Sequence, residues 1–270
     1  MSTKFGMIGG GVMGEALLSR LVFQKIYLPE EVLVSEPQAE RRSFLVQKYK
    51  VQVTEDNRAA IAGEVLLLAV KPQAFEAVIA SLAGSAQSPD NSLPLVISIL
   101  AGTPLSKLEA AFPGKPVIRA MPNTPATVGA GITAIAPGTH TQLHHLQQAR
   151  RVFEAVGEVV EVPESLMDAV TGLSGSGPGF VALVVEALTD GGVAAGLPRA
   201  IAAKLALQTV KGTAQLLQES EMHPGELKDR VTSPGGTTIA GIAQLERSGL
   251  RSALIEAVCA AYLRSQELGR

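Results

Sequence analysis

The sequence predicts an α/β protein, with an N-terminal doubly wound parallel sheet and a C-terminal region made only of helices. Three observations support this fold class. Short aliphatic runs alternate with helical patterns up to about residue 162, no convincing strand follows Pro163, and a glycine-rich turn joins the first strand to the first helix. Alternating strands and helices favour a parallel sheet that is covered on both faces. With 270 residues the chain is long enough for two domains, which we place at residues 1–162 and 163–270.

The individual elements follow from the spacing of apolar residues and from Gly and Pro punctuation. Predicted strands lie at residues 5–8, 32–34, 51–53, 65–70, 95–99, 117–121, 132–136 and 159–162. Helical patterns between them lie at residues 15–21, 38–49, 74–82, 104–112 and 142–155. In the second domain, predicted helices lie at residues 165–171, 179–195, 198–218, 224–231, 238–247 and 251–267.

The turn after the first strand carries the pattern G-x-G-x-x-G at Gly9, Gly11 and Gly14. The first glycine permits a tight turn, the second lets the backbone approach a pyrophosphate, and the third lets the helix pack closely on the strand. Unpaired N–H groups at the start of the helix favour phosphate binding. The pattern therefore predicts a dinucleotide site in a Rossmann-type domain. A structural turn without a ligand is the alternative.

The predicted helix at residues 180–195 is apolar on most of its faces, because its only charges are Glu186 and Asp190. Such a helix needs cover on several sides. A helical region of about a hundred residues can hardly supply that cover alone. The sequence therefore predicts dimerisation through the second domain, and a monomeric bundle around a buried central helix is the alternative.

Two further loops follow predicted strands and so lie at the edge where open α/β sheets bind ligands. Lys71, after the fourth strand, is placed to contact a ribose or a phosphate, or it is a solvated residue at the strand end. Residues 121–125 (Met-Pro-Asn-Thr-Pro) follow the sixth strand and face the same cleft, or form only a proline-fixed turn.

A third loop, residues 233–238 (Ser-Pro-Gly-Gly-Thr-Thr), opens a helix of the second domain. Its small residues expose backbone N–H groups, and its hydroxyls add donors. This combination predicts a site for a small carboxylate, whereas an ordinary helix N-cap is the alternative. Residues 175–178 (Gly-Ser-Gly-Pro) open another helix, and they contribute donors there or allow close helix packing.

Composition excludes several other functions. The formal net charge is −2 with opposite charges interspersed, which does not favour nucleic-acid binding. The single cysteine, Cys259, excludes a disulfide framework and a thiolate metal site, and His140 and His144 lack a third metal ligand. There is neither a P-loop nor a nucleophile elbow. The N-terminus lacks a signal-peptide pattern and the longest apolar runs are too short for a bilayer, so we expect a cytoplasmic protein without membrane association.

Five motifs together resemble pyrroline-5-carboxylate reductases. In chain order they are residues 9–14 (Gly-Gly-Gly-Val-Met-Gly), 70–73 (Val-Lys-Pro-Gln), 121–125, 173–178 (Leu-Ser-Gly-Ser-Gly-Pro) and 233–241 (Ser-Pro-Gly-Gly-Thr-Thr-Ile-Ala-Gly). The resemblance covers essentially the whole chain and implies NAD(P)H-dependent reduction of 1-pyrroline-5-carboxylate to L-proline, the last step of proline biosynthesis. It also implies at least a homodimer interlocked through the helical domains, and a decamer built as a pentamer of dimers.

The resemblance and the patterns above together give the site residues. Those expected at the nicotinamide cofactor are Ile8, Gly9, Gly10, Gly11, Val12, Met13, Gly14, Ser35, Glu36, Asn57, Ala69, Val70, Lys71, Pro72, Ala101 and Gly102. Those expected at the substrate are Glu164, Ser176, Ser233, Gly236, Thr237 and Thr238. Lys71 and Thr238 are the candidate catalytic residues. The resemblance implies that Thr238 holds the ring nitrogen, but a threonine hydroxyl is a poor general acid. Catalysis of such a hydride transfer is mostly proximity and orientation.

The choice between NADPH and NADH depends on residues near the end of the second strand. Glu36 lies where an acidic residue binds the ribose diol and disfavours a 2′-phosphate. Ser35, however, matches a phosphate-contacting position in relatives, and Arg41 and Arg42 are close enough in sequence to reach it. We predict NADPH as the cofactor, with NADH as the alternative.

Two other functions fit part of the sequence. A β-hydroxyacid dehydrogenase shares the glycine-rich start and the two-domain plan, but its helical-domain lysine is missing after residues 175–177. A non-catalytic dinucleotide sensor would retain the cofactor loop, yet the intact loop at residues 233–238 argues for a substrate. Substrate-dependent cofactor oxidation separates these alternatives.

Overall fold

A computed structural model describes residues 3–82 and 94–269, and within these ranges it contains one eight-stranded sheet. Its strands are β1 (Phe5–Ile8), β2 (Val32–Ser35), β3 (Gln52–Thr54), β4 (Val65–Leu68), β5 (Leu95–Ser98), β6 (Val117–Met121), β7 (Gly131–Pro137) and β8 (Gly157–Glu161). They are ordered β3-β2-β1-β4-β5-β6-β7-β8 across the sheet. The first six strands are mutually parallel, so the predicted Rossmann-type arrangement is confirmed.

The described helices agree closely with the predicted ones. They are α1 (Val12–Phe23), α2 (Ala39–Tyr49), α3 (Asn57–Ala60), α4 (Phe75–Leu82), α5 (Leu105–Ala111), α6 (Leu143–Glu154), α7 (Met167–Val170), α8 (Gly177–Ala194), α9 (Arg199–Ser220), α10 (Pro224–Arg230), α11 (Thr237–Arg247) and α12 (Leu250–Leu268). The predicted helix at residues 165–171 differs in detail, because a π-helical turn, Thr171–Gly175, joins α7 to α8.

The sheet departs from a parallel arrangement at β7, which runs antiparallel to β6. A short connection suffices for this pairing, and it contains the 3₁₀ turn Thr124–Val128, which ends at Gly129 with φ +76°. An antiparallel pair can be joined by a tight loop, whereas a parallel pair needs a crossover. The final strand β8 is again parallel to β7 and follows the crossover helix α6.

Alternating side chains of each strand supply two hydrophobic cores, one on each face of the sheet. In β4, Val65 and Leu67 belong to one core cluster, while Leu66 and Leu68 belong to the other. All four side chains are fully buried, as expected for a parallel strand covered by helices on both faces. This double cover fixes the carboxyl ends of the strands, where the predicted cofactor residues lie.

The chain divides into two compact units, Met1–Ser176 with Ala260–Arg270, and Gly177–Cys259. This division falls later than the boundary we predicted between residues 162 and 163. The reason is local: Met167 is fully buried in a core cluster of the sheet, and the Oγ of Ser265 donates to Oδ1 of Asp168 at 2.7 Å. The segment after β8 and the end of α12 therefore pack as part of the first unit.

In the second unit, α8 and α9 form a close helical pair. A methyl group added at Gly192 would lie 3.0 Å from Cβ of Ala202, so the glycine permits this approach. Outside that contact α8 is open: Val181, Leu183 and Leu188 are 49%, 65% and 50% exposed. A bundle that buries α8 within one chain, the alternative to dimerisation, does not fit this exposure, and contiguous exposed apolar surface is typical of interfaces.

The helical stretch Glu164–Ala194 is the one segment of the described residues that is long and apolar enough to cross a membrane, judged by length and composition only. A single helix of this kind is weak evidence for a membrane span, and little of the apolar part of this stretch is buried by the described residues. The stretch is also interrupted by the π-helical turn, and its first residue, Glu164, forms an ion pair with Arg119 of β6.

Candidate active site

The glycines of the turn after β1 are needed for different structural reasons. Gly9 has φ +101°, and a methyl group there would lie 2.8 Å from the carbonyl carbon of Ala69. A methyl group at Gly14 would lie 2.5 Å from the carbonyl oxygen of Gly9. At Gly11, by contrast, no heavy atom lies within 4 Å of the added methyl group. The loop is therefore packed at its first and third glycines and open at the second, which fits a pyrophosphate approaching the backbone at Gly11.

Helix α1 begins directly at this opening. Its N-cap residue, Gly11, has no side chain to satisfy the first N–H groups, and Val12 is 73% exposed. Helix starts that lack a capping side chain leave backbone donors and a partial positive charge available to an anion. The geometry thus fits the phosphates of a dinucleotide, with Ile8 ending the strand that leads into the loop.

Glu36 lies just after β2, but its carboxylate is already engaged by the backbone. Oε2 accepts the N–H of Gly10 at 2.9 Å, and Oε1 accepts the N–H of Gln38 at 3.0 Å. The two predicted cations are engaged too. Arg41 donates to the carbonyl oxygen of Gly10, and Arg42 donates to the carbonyl oxygens of Glu36 and Pro37.

A chain of side-chain hydrogen bonds links the ends of β2 and α4 through α3. The Oγ of Ser35 donates to Oδ1 of Asn57 at 2.7 Å, and Nδ2 of Asn57 donates to Oγ of Ser81 at 2.8 Å. Ser35 is only 1% exposed. The structure therefore brings Ser35 and Asn57, both predicted at the cofactor, into contact with each other.

The remaining predicted cofactor residues follow β4 and β5. Lys71 is exposed and precedes a 3₁₀ turn that starts at Pro72, and no ion pair involves it among the residues that the structure describes. Gly102 has φ +72°, and a methyl group there would lie 3.4 Å from Leu268 and 3.5 Å from Gly269. The end of α12 therefore backs the turn that contains Ala101 and Gly102.

Glu164, which was predicted to contact the substrate, binds the start of α5, shortly after the turn at Gly102. Its Oε1 accepts the backbone N–H of Leu105 at 2.5 Å and lies 3.1 Å from Nη1 of Arg119. A second carboxylate, Asp168, lies 3.7 Å from Nη2 of the same arginine. Arg119 was not predicted from the sequence, although a charged residue inside the apolar run at residues 117–121 is a visible signal, because buried charges need partners.

Glu15 lies at the centre of a polar cluster beside the phosphate loop. This cluster was not predicted from the sequence either. Its carboxylate accepts from Tyr49 at 2.6 Å and from Lys48 at 3.0 Å, and it pairs with Arg41 at 2.5 Å. Burial opposes ionisation of Glu15, but the hydrogen bonds from these three side chains outweigh it and lower its pKa to about 2.

In the second unit, residues 233–238 form a turn that leads into α11. The N–H of Gly236 donates to the carbonyl oxygen of Ser233 at 3.0 Å, and Gly235 has φ +67°. Gly236 is the N-cap of α11 and offers no capping side chain. Within the described ranges, the hydroxyls of Ser233, Thr237 and Thr238 have no hydrogen-bond partner. The loop therefore presents three free hydroxyls and an uncapped helix start.

Ser176, also predicted at the substrate, belongs to the first unit. Its Oγ donates to the carbonyl oxygen of Thr171 at 3.2 Å, across the π-helical turn. Sequence periodicity did not predict this turn, and such turns are frequent at functional sites. The described residues contain no group of three or more His, Cys, Asp or Glu side chains arranged to hold a metal ion.

Two family models match the chain. One, described as pyrroline-5-carboxylate reductase dimerisation, matches residues 164–268, and another, described as NADP oxidoreductase, coenzyme F420-dependent, matches residues 4–102. The first match begins one residue after the start of the second predicted domain, and the second contains the phosphate loop and all predicted cofactor residues.

Curated relatives and solved structures extend these matches over the full length. The chain is 62% identical over 271 residues to a pyrroline-5-carboxylate reductase of Synechocystis, covering 100% of both chains. It is 47% identical over 269 residues to that of Methanosarcina acetivorans, covering 99% of this chain and 98% of the relative. The structure of the Coxiella burnetii enzyme of this name has a TM-score of 0.89 at 32% identity and full coverage of both chains. A Plasmodium falciparum pyrroline carboxylate reductase solved with NADP bound has a TM-score of 0.88 at 29% identity, covering 99% and 98%.

Proposed function

The chain belongs to the pyrroline-5-carboxylate reductase family, and we propose that it reduces the C=N bond of 1-pyrroline-5-carboxylate to give L-proline, the last step of proline biosynthesis. The observation that carries this function is the full-length relationship at 62% identity, joined to a phosphate loop that is open only at Gly11. A nicotinamide dinucleotide supplies the hydride when bound. The described residues supply binding and orientation.

Residues of the first unit would hold the dinucleotide along the carboxyl ends of the strands. The open backbone at Gly11 and the start of α1 face the pyrophosphate, whereas Lys71 and Gly102 lie after β4 and β5, on the nicotinamide side. We propose NADPH as the preferred cofactor, with NADH as the alternative. Support comes from the family model described as NADP oxidoreductase, which matches residues 4–102, and from the Plasmodium falciparum relative solved with NADP bound.

The loop at residues 233–238 would hold the substrate. Its uncapped N–H groups suit the carboxylate, and the free hydroxyl of Thr238 suits the ring nitrogen. Hydride adds to the imine carbon, while the nitrogen takes its proton from solvent, because a threonine hydroxyl is a poor acid. Positioning of this kind supplies most of the rate of such a transfer.

A second subunit would complete the enzyme. The exposed apolar face of α8 and the dimerisation model over residues 164–268 support at least a homodimer, which we extend to a decamer of five dimers. We further propose that the substrate loop of one subunit meets the dinucleotide-binding loop of its partner in one site, so that dimerisation is required for activity. A soluble, cytoplasmic protein is the corresponding expectation for localisation.

The test is dinucleotide oxidation by the purified protein, followed with 1-pyrroline-5-carboxylate and either NADPH or NADH. We expect rapid substrate-dependent oxidation, faster with NADPH. The reverse direction with 3-hydroxy acids and NAD(P)⁺ serves as the control for a β-hydroxyacid dehydrogenase. Folded protein that binds NADPH but does not turn over with the imine would instead support the dinucleotide sensor.

A further inference from the structure

The backbone of Gly10, between Gly9 and Gly11 of the phosphate loop, is held on both sides by the second βα unit. Its N–H donates to Oε2 of Glu36 at 2.9 Å in a buried hydrogen bond. Its carbonyl oxygen accepts from Nε of Arg41 at 2.6 Å. Gly10 therefore cannot offer its N–H to a phosphate while these bonds persist, although it lies between two residues that face the cofactor.

Packing explains why this position is a glycine. A methyl group added at Gly10 would lie 2.8 Å from Cδ1 of Leu45, a fully buried residue of α2. Gly10 thus faces α2 and the core, whereas Gly11 faces open space. The two neighbouring glycines therefore face opposite sides of the loop.

The carboxylate of Glu36 is directed toward the backbone of the loop rather than toward solvent. Each of its oxygens already accepts a backbone N–H, from Gly10 and Gln38, and the residue is only 7% exposed. Turning it toward a ribose diol would leave the buried N–H of Gly10 without its acceptor, which is costly. A carboxylate is also the only common side chain that accepts two N–H bonds with two equivalent oxygens.

Arg41 is fixed by a partner that stays ionised. Its Nη2 pairs with Glu15 at 2.5 Å, and Tyr49 and Lys48 hold the same carboxylate from the other side. Because the side chains of Arg41 and Glu15 are only 25% and 20% exposed, the guanidinium is held in one place rather than free in solvent. This arrangement aims Arg41 at the loop and not at a 2′-phosphate.

We propose that Glu36 and Arg41 are positioning residues that hold the backbone N–H and the carbonyl oxygen of Gly10, and that Glu36 does not select between NADPH and NADH. This inference rests on the proposed function, since it concerns the dinucleotide that the reductase uses. It reassigns the acidic residue after β2 from ribose recognition to the shape of the phosphate loop. Both dinucleotides share the pyrophosphate, so loss of this shape weakens both alike.

The experiment compares Glu36→Gln with wild type by calorimetric titration of NADPH and NADH, and by steady-state kinetics with each. Glutamine keeps the size of the side chain but has one acceptor oxygen for two N–H donors. We expect the Kd of both dinucleotides to rise about tenfold, the ratio of the two to change less than about twofold, and kcat at saturation to stay within about threefold of wild type. Arg41→Ala should show the same pattern with a smaller rise.

The matched control is Glu40→Gln, which removes the same charge from an exposed residue of α2 that makes no hydrogen bond or ion pair within the described ranges. Its Kd values should equal those of wild type. A shift of tenfold or more toward NADPH in Glu36→Gln would overturn the inference and restore ribose selection by Glu36. Unchanged Kd values for both dinucleotides in Glu36→Gln would overturn it as well. Wild type that binds neither dinucleotide would overturn the proposed function itself.

Discussion

The two glycine-rich loops of this chain contain similar residues but differ in how much of their own unit supports them. In the phosphate loop, added methyl groups at Gly9 and Gly14 would collide with backbone, and Gly10 is bonded on both sides. In the loop at residues 233–238, a methyl group at Gly235 would meet no atom within 4 Å. The first loop is shaped by its surroundings, and the second is shaped mainly by its own turn.

The difference indicates two strategies for binding. A phosphate loop built into the sheet is ready for its ligand, because the cost of ordering it is already met by folding. The second loop leaves the hydroxyls of Thr237 and Thr238 without partners in the described ranges. Such a loop gains its hydrogen bonds when the substrate arrives, so changes in it should affect substrate binding and leave the dinucleotide alone.

The largest effect is expected from Gly14→Ala in the phosphate loop. The added methyl group would lie 2.5 Å from the carbonyl oxygen of Gly9, which only a backbone shift can relieve. We expect the Kd for NADPH to rise about a hundredfold or more, measured by titration calorimetry. Gly212→Ala in α9 is the control, because its nearest neighbour is a side-chain nitrogen 4.0 Å away. Equal affinities in the two variants would contradict a loop fixed by packing.

The substitution Arg119→Met tests the ion pairs that Arg119 makes near the turn at Gly102. Arg119 is 6% exposed and lies between Glu164 and Asp168, so its removal leaves two carboxylates without their cation. We expect the free energy of unfolding in urea to fall by about 3 kcal/mol.

Glu164→Gln then separates two roles for that carboxylate. If Glu164 only anchors Leu105 and Arg119, the substitution should lower the free energy of unfolding by about 1 kcal/mol. The KM for 1-pyrroline-5-carboxylate should then stay unchanged. A tenfold rise in that KM at unchanged stability would instead support the substrate contact that the resemblance implied.

Thr238→Val probes the second loop with a side chain of nearly the same shape. Loss of the free hydroxyl should reduce kcat/KM for the imine about thirtyfold, while the Kd for NADPH stays unchanged. Thr238→Ser should restore most of the activity, because it retains the hydroxyl. A valine variant with weakened NADPH binding would show that the loop has a role beyond the substrate.

Strong local signals made most of the fold predictable from the sequence. Every predicted strand and helix outside the π-helical turn was found within a few residues, because continuous aliphatic runs, Pro and Gly mark these elements clearly. The direction of β7 was not predicted, since periodicity does not encode strand direction. The π-helical turn at Thr171–Gly175 was missed for a similar reason, as it differs from an α-helix by a single inserted residue.

The positions of the site residues could be predicted from the sequence, but their hydrogen-bond partners could not. Motif spacing correctly placed Gly9 and Gly11 between β1 and α1, and Gly14 in the first turn of α1. It could not show that the carboxylate of Glu36 is used by Gly10 and Gln38, because those bonds depend on side-chain direction in three dimensions. The same limit applies to Glu164, whose partner Arg119 is 45 residues away in the chain.

The smallest expected effect concerns the electrostatic support of the phosphate loop by Glu15. Its pKa is lowered to about 2 in the folded protein, so the charged form is favoured by folding. The resulting stabilisation is complete above the ordinary pKa of a glutamate and is lost as the pH falls toward about 2. The free energy of unfolding of wild type should therefore exceed that of Glu15→Gln by about 1 kcal/mol near neutral pH, after allowance for solvent screening. This gap should close by about pH 2. Urea unfolding of both proteins across this range measures the gap, with Glu40→Gln as the control that shows none. A gap that stays constant down to about pH 2 would mean that Glu15 stabilises the loop by packing rather than by its charge.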